Sequence, residues 1–221
     1  MLSSEQWWGI IAVYGERIWP AQIILYLASL GAMALVFVRP GIVADTVMRT
    51  CLAALFAWIS VVFFLTIGRD LAGNYVFAAL FGVVALVFAA DLFRKRMAFR
   101  PPAAGWQRPV AMVLAVTIAA YPAISLAMGH TFPRTIFLGA FPCPTSALAL
   151  LMLTFALPRA DKIAYGVLLF WAVPLPIFIQ IPKYGVYEDA IMLVAGLYAL
   201  VLLILRWSDP AAGRTAVSRA S

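Results

Sequence analysis

Residues 74–92 read NYVFAALFGVVALVFAADL, a run in which the only charge, Asp91, stands next to the last position. A barrel strand needs about ten residues of alternating polarity, whereas a helix crossing a bilayer needs about 20 residues that are apolar throughout. This run neither alternates nor breaks, so it reads as a transmembrane helix. Six further stretches of the same kind lie near 19–38, 51–67, 109–128, 136–157, 163–182 and 190–206. The whole chain agrees with them. Of its 221 residues 65% are hydrophobic and 11% charged, and its mean hydropathy is +1.00. A soluble domain needs far more polar residues to cover its surface. With lipid as solvent every backbone polar group must be paired internally, which leaves helix bundles or closed barrels. The predicted fold is all-α, an integral membrane bundle of about seven helices.

Basic residues orient that bundle. With the N-terminus outside, the inner segments 39–50, 92–108, 158–162 and the tail after 205 hold twelve Lys and Arg, and the outer segments hold four. Cytoplasmic loops carry the excess of positive charge, so the expected arrangement is N-terminus out and C-terminus in, in a bacterial inner membrane. Trp19, Trp106 and Trp207 fall near span ends, as interfacial tryptophans do. Residues 1–18 read as an outer interfacial segment, 19–206 as the membrane domain, and 207–221 as a disordered cytoplasmic tail. Glu5, Glu16 and Arg17 argue against a cleavable signal peptide.

The net charge of +7 does not indicate nucleic acid, because its densest cluster (Arg94, Lys95, Arg96, Arg100, Arg108) is a short linker between apolar runs. A nucleic-acid footprint needs a basic face on a folded domain. The partners expected are the lipid bilayer, anionic headgroups at the Arg94 to Arg108 linker, and a membrane-protein partner or second copy of the chain. Cys51 and Cys143 fall at opposite ends of their spans, too far apart for a disulfide. No ionisable group stands clearly at mid-span; Asp91, beside Arg94 and Lys95, reads as interfacial. Glu188 and Asp189 precede the last span and read first as acids complementing a helix dipole, second as lining of an outer vestibule.

The distribution of proline stands above this background. Pro40, Pro101, Pro102, Pro109, Pro158 and Pro210 lie in inner linkers or at helix ends. Pro20, Pro122, Pro142, Pro144, Pro174, Pro176 and Pro182 lie in or against the outer halves of apolar spans, with Pro133 in a loop. Proline removes a donor and frees carbonyls, and broken backbone at membrane depth is tolerated where protein or a wet cavity covers it. From Pro144 to Leu157 a helix rises only roughly 21 Å, against about 30 Å of hydrocarbon. Span five is therefore read as starting below the outer surface, with residues 135–141 re-entrant, Cys143 as cap and Pro144 first in the helix. A helix N-terminus at that depth can hold a polar solute. The candidate pocket is Cys143, Pro144 and Thr145 with His130, Arg134, Tyr121, Gln22, Tyr26 and Gln180. An ordinary proline kink and interhelical hydrogen bonds are the alternative readings of these residues. No catalytic set, metal site or cofactor is expected, since His130 and Cys143 are two ligands where zinc takes four.

Trp19-Pro20-Ala21-Gln22, Leu25-Tyr26, Tyr121-Pro122, Gly129-His130 and Phe141-Pro142-Cys143-Pro144-Thr145 together resemble an uncharacterised family of bacterial multi-pass membrane proteins, domain-of-unknown-function family six thousand and sixty-four. The resemblance runs from about Gln6 to Leu205 and implies a bacterial multi-pass protein without supplying an activity. Members of that family carry an aromatic or His-rich patch near the end of span two, where this chain reads Phe63-Phe64-Leu65-Thr66. Three functional classes follow, in descending order: a transport or channel-like protein with an outward-facing polar pocket, a structural or accessory subunit, and a membrane enzyme or redox protein using Cys143.

Overall fold

The structure is a computed structural model that describes residues 2–71 and 73–207; its regular elements are all helices, with no strand among the described residues. In chain order the helices are α1 (Ser4–Arg17), α2 (Ala21–Val38), α3 (Ile42–Trp58), α4 (Asn74–Arg94), α5 (Gln107–Ala119), α6 (Tyr121–Ala127), α7 (Pro142–Phe155), α8 (Lys162–Ala172), α9 (Ile181–Tyr184) and α10 (Ala190–Trp207). Wide π turns at Ile59–Ile67 and Pro176–Gln180 extend α3 and precede α9, and a 3-10 turn, Tyr187–Asp189, leads into α10. The expected tail at 207–221 lies outside the described residues beyond Trp207, as does the Trp207 side chain.

Five segments are long and apolar enough to cross a membrane: Ala21–Val38, Ile42–Ile67, Asn74–Arg94, Lys162–Tyr184 and Tyr187–Arg206. A sixth appears if α5 and α6, bent by 63° at their junction, count as one. Pro122 stands in the first turn of α6 and explains the bend, since its ring excludes a continuous ladder. The seventh expected stretch, 136–157, is not one helix. Residues 136–141 are non-helical, and α7 has 14 residues.

Why the helix at 42–67 starts well before the expected residue 51 is a matter of charge. Asp45 and Arg49 looked like loop residues, yet both are buried in α3. Asp45 accepts from the Phe99 backbone at 2.8 Å and takes a two-pronged contact from Arg100 at 2.8 and 3.0 Å. Arg49 pairs with Asp91 at 3.0 Å, and Asp91 accepts from the backbones of Arg96 and Met97, each at 3.1 Å. Buried charge is tolerated when it is paired and hydrogen-bonded in this way. The linker after α4 is thereby strapped across one end of the bundle, and Asp91 is a core anchor rather than a companion of Arg94 and Lys95.

At the centre stands α7, with every residue from Pro142 to Phe155 buried. It packs against α3, α5, α8 and α10. A helix apolar all round belongs in the interior, and its small residues, Ala147 and Ala149 among them, let neighbours approach. Around it the outer helices expose large apolar side chains, including Ile24, Val38, Leu86 and Ile204.

The non-helical entry to α7 is covered by α1. Trp8, Ile11, Tyr14, Gly15 and Ile18 form the buried stripe of this helix, the i, i+3, i+4 spacing of one face. Gly15 meets Pro133 so closely that an added Cβ would stand 2.0 Å from its carbonyl oxygen. The Tyr14 hydroxyl donates to Ala140 O at 2.7 Å and accepts from Trp58 Nε1 at 2.8 Å; burial raises its pKa above the usual phenol range. Gly139 has φ +86°, and a Cβ there would lie 2.7 Å from Leu25 O, so only glycine fits where the lead into α7 crosses α2. Within the segment 1–18, expected to lie at the outer interface, α1 thus docks one face on the protein.

Candidate functional site

The helix that carries the Pro-Cys-Pro-Thr element begins two residues earlier than expected. Phe141 is the cap, in extended backbone, and Pro142 is the first helical residue, the place where a missing N–H costs nothing. Cys143 then falls in the first turn instead of at the cap. Its sulfur accepts from Gln180 Nε2 at 3.2 Å, and Asp189 and Trp171 adjoin it.

Proline-broken backbone places these partners. Gln180 ends the wide turn that follows Pro174 and Pro176, and Asp189 ends the 3-10 turn before α10. Tyr121, at the α5–α6 bend, donates a hydrogen bond to Asp189 Oδ1. Glu188 beside it is equally buried; its Oε1 meets Ser125 Oγ at 3.0 Å and His130 Nδ1 at 2.8 Å. Ser125 Oγ in turn accepts from the backbone of Ile136 at 3.2 Å. Two adjacent acids therefore tie α6, the 128–141 loop and the start of α10 together.

A cavity of about 420 Å³ opens over this floor. Its walls include Phe63, Phe64, Phe77, Phe141 and Phe178, and Cys143, Trp171, Gln180 and Asp189 supply polar groups, with Lys183 and Tyr184 also on its lining. Gln180 Oε1, Asp189 Oδ2 and Trp171 Nε1 are buried and have no hydrogen-bond partner among the described residues beyond the Cys143 thiol, which Asp189 and Trp171 adjoin. Buried polar atoms are nearly always paired, so two orphan acceptors and an orphan donor on one cavity are an unmade set of contacts. At the mouth Trp7 of α1 stacks on Tyr184 of α9 with ring centres 5.0 Å apart. Trp8 donates to Tyr184 O at 2.9 Å and lies 4.0 Å from the His130 ring.

Of the nine residues expected in a pocket, Cys143 and Gln180 line the cavity and Tyr121 holds its acid. His130 is one step removed, bonded to Glu188 and not to Cys143. Pro144 is buried in the first turn of α7. Thr145 turns back to Phe141 O at 2.6 Å and accepts from the backbone of Gly139 at 3.1 Å. Arg134 is exposed. Gln22 and Tyr26 belong to α2, away from the cavity lining: Tyr26 donates to Ala119 O at 2.8 Å, and Gln22 is buried with its amide unpartnered among the described residues. Glu188 and Asp189, read from sequence first as dipole-complementing acids and only second as vestibule lining, supply the acids of the site, and Trp171 completes it without having been placed there from sequence. Among the described residues no three of His, Cys, Asp and Glu stand close enough to hold a metal ion.

No curated protein and no solved structure matches the chain. One family model, described as a family of unknown function (DUF6064), matches residues 4–214.

Proposed function

The chain belongs to DUF6064, a family of unknown function, and from that premise we propose a transport-type protein of the bacterial inner membrane that takes an apolar solute with a hydrogen-bond-donating head into an outward-facing pocket. Seven crossings are proposed: α2, α3 with its π extension, α4, α5–α6, α7 with its re-entrant lead, α8–α9, and α10. The N-terminus is assigned to the outside. The apolar side chains exposed around the bundle support a lipid setting, since soluble monomers rarely expose large contiguous apolar surface. The twelve-to-four bias of basic residues supports the orientation.

The observation that carries the solute class is the orphan set at the cavity floor. Aromatic walls favour an apolar or aromatic body, and the unpartnered oxygens of Asp189 and Gln180 favour a donor such as an amine. Cys143 reports occupancy. Expected is slow labelling of Cys143 by a membrane-impermeant maleimide from outside in intact cells, slowed further by phenethylamine. Asp189→Asn should abolish that protection while leaving protein yield unchanged. Labelling of Cys143 only from the cytoplasmic side, or protection that Asp189→Asn leaves intact, overturns the reading.

A further inference from the structure

A second cavity, about 690 Å³, opens at the opposite end of the bundle between the end of α4 and the start of α8. Arg94, Lys95 and Arg96 line one side, and Arg159 and Lys162 the other. Its two acids are already engaged. Asp91 is paired with Arg49 at 3.0 Å, and Asp161 caps α8 by accepting from the backbones of Ile163 and Ala164 at 2.9 and 3.3 Å. The side chains of Arg94, Lys95, Arg96 and Arg159 form no ion pair with any described residue. Arg94, Lys95, Arg96 and Arg159, four cations that make no ion pair among the described residues, thus converge on a cleft that also holds Asp91 and Asp161, and the basic side chains outnumber the acids and set a positive potential there.

The backbone shows that this convergence is held in place. Lys95 is the one non-glycine residue with positive φ, +51°, among the described residues. A side chain in that conformation is disfavoured, and such outliers persist where surrounding structure fixes them, often around ligands. Here Asp91 fixes it: its backbone oxygen takes Lys95 N at 2.8 Å and its carboxylate takes the next two N–H groups. The same acid that buries Arg49 turns the chain so that three successive basic residues border one cleft. The other two basic residues of the linker are not part of it: Arg100 is committed to Asp45, and Arg108 donates to Ala103 O at 3.2 Å.

We propose that this cleft binds a phosphate group, with Arg94, Lys95 and Arg96 of one helix end closing on it from one side and Arg159 from the other. Guanidinium groups fit phosphate oxygens two at a time, and basic pockets between helices at a cytoplasmic face are where phospholipid headgroups lodge. A phospholipid headgroup and a soluble phosphate share this chemistry. The site is independent of the aromatic cavity at the other end.

The test uses the full chain purified in a neutral detergent. Cardiolipin, phosphatidylcholine and inorganic phosphate are added separately, with bound lipid counted by native mass spectrometry and thermal unfolding followed for each. Arg96→Gln with Arg159→Gln is the test variant; neither side chain pairs with another, so its unfolding in lipid-free detergent should match wild type. Retention of cardiolipin but not phosphatidylcholine, weakened about thirtyfold in the variant, supports the site with a lipid source, at about a tenfold loss per 1.4 kcal/mol and about 1 kcal/mol per cation. Stabilisation by millimolar inorganic phosphate alone, lost in the variant, supports it with a soluble source. Equal binding by wild type and variant overturns it. So does an equal loss in Arg69→Gln with Arg134→Gln, a pair at the opposite end, because that would reflect total charge only.

Discussion

Single residues divide here into those whose polarity betrays them and those whose charge misleads. Cys143, Tyr121 and Gln180 are polar exceptions within apolar runs beside prolines, and the cavity floor uses all three. Glu188 and Asp189 follow a loop and precede a span, where acids are usually solvated; nothing local says that Tyr121 and Ser125, more than sixty positions earlier, will enclose them. The same holds for Arg49 and Asp91, 42 positions apart and buried as a pair. Arg49→Met should destabilise the protein by about 3–5 kcal/mol, because it strands a buried carboxylate. Adding Asp91→Asn, which removes the stranded charge and keeps an acceptor for one of the two N–H groups of Arg96 and Met97, should recover part of that loss. Thermal unfolding of the two single variants and the double measures the coupling, and strictly additive losses would remove the pair from the account.

Among the elements, the long uncharged helices were legible because length and apolarity alone specify them, and α4 runs over Asn74–Arg94 against an expected 74–92. Where charges or prolines interrupt the pattern, tertiary contacts decided the outcome. The start of α3 moved back to Ile42 once its charges found partners, and α7 lost its first turns to the 136–141 coil. Helix α1 was harder, since a short stripe beginning Trp7-Trp8 reads equally well against lipid or protein. Its docking predicts a role at the cavity mouth, which Leu2, Trp7 and Ile11 border. Trp8→Ala removes a buried indole and its bond to Tyr184 O, a change of about 3 kcal/mol. Local opening of α1 should then raise the rate of Cys143 labelling at least about tenfold with little change in global unfolding. An unchanged rate would mean that α1 does not govern access.

At the scale of the molecule, the two cavities lie at opposite ends of one bundle, the aromatic one by α1 and the basic one by the linker after α4. The proposed orientation puts Thr131 outside and Ala103 inside, both exposed. In a background with Cys51→Ser and Cys143→Ser, Thr131→Cys should react with an impermeant maleimide in intact cells and Ala103→Cys only after lysis. Reaction of both from the same side would reverse or break the topology. The central helix carries a further consequence for biogenesis. With 14 residues and no outward face, α7 is too short to be retained by a translocon as a stop-transfer segment. In the proposed topology its burial is therefore expected to depend on α8 and α10, which pack against it and are synthesised later. A chain truncated before residue 190 would leave that middle segment without the α10 part of its enclosure.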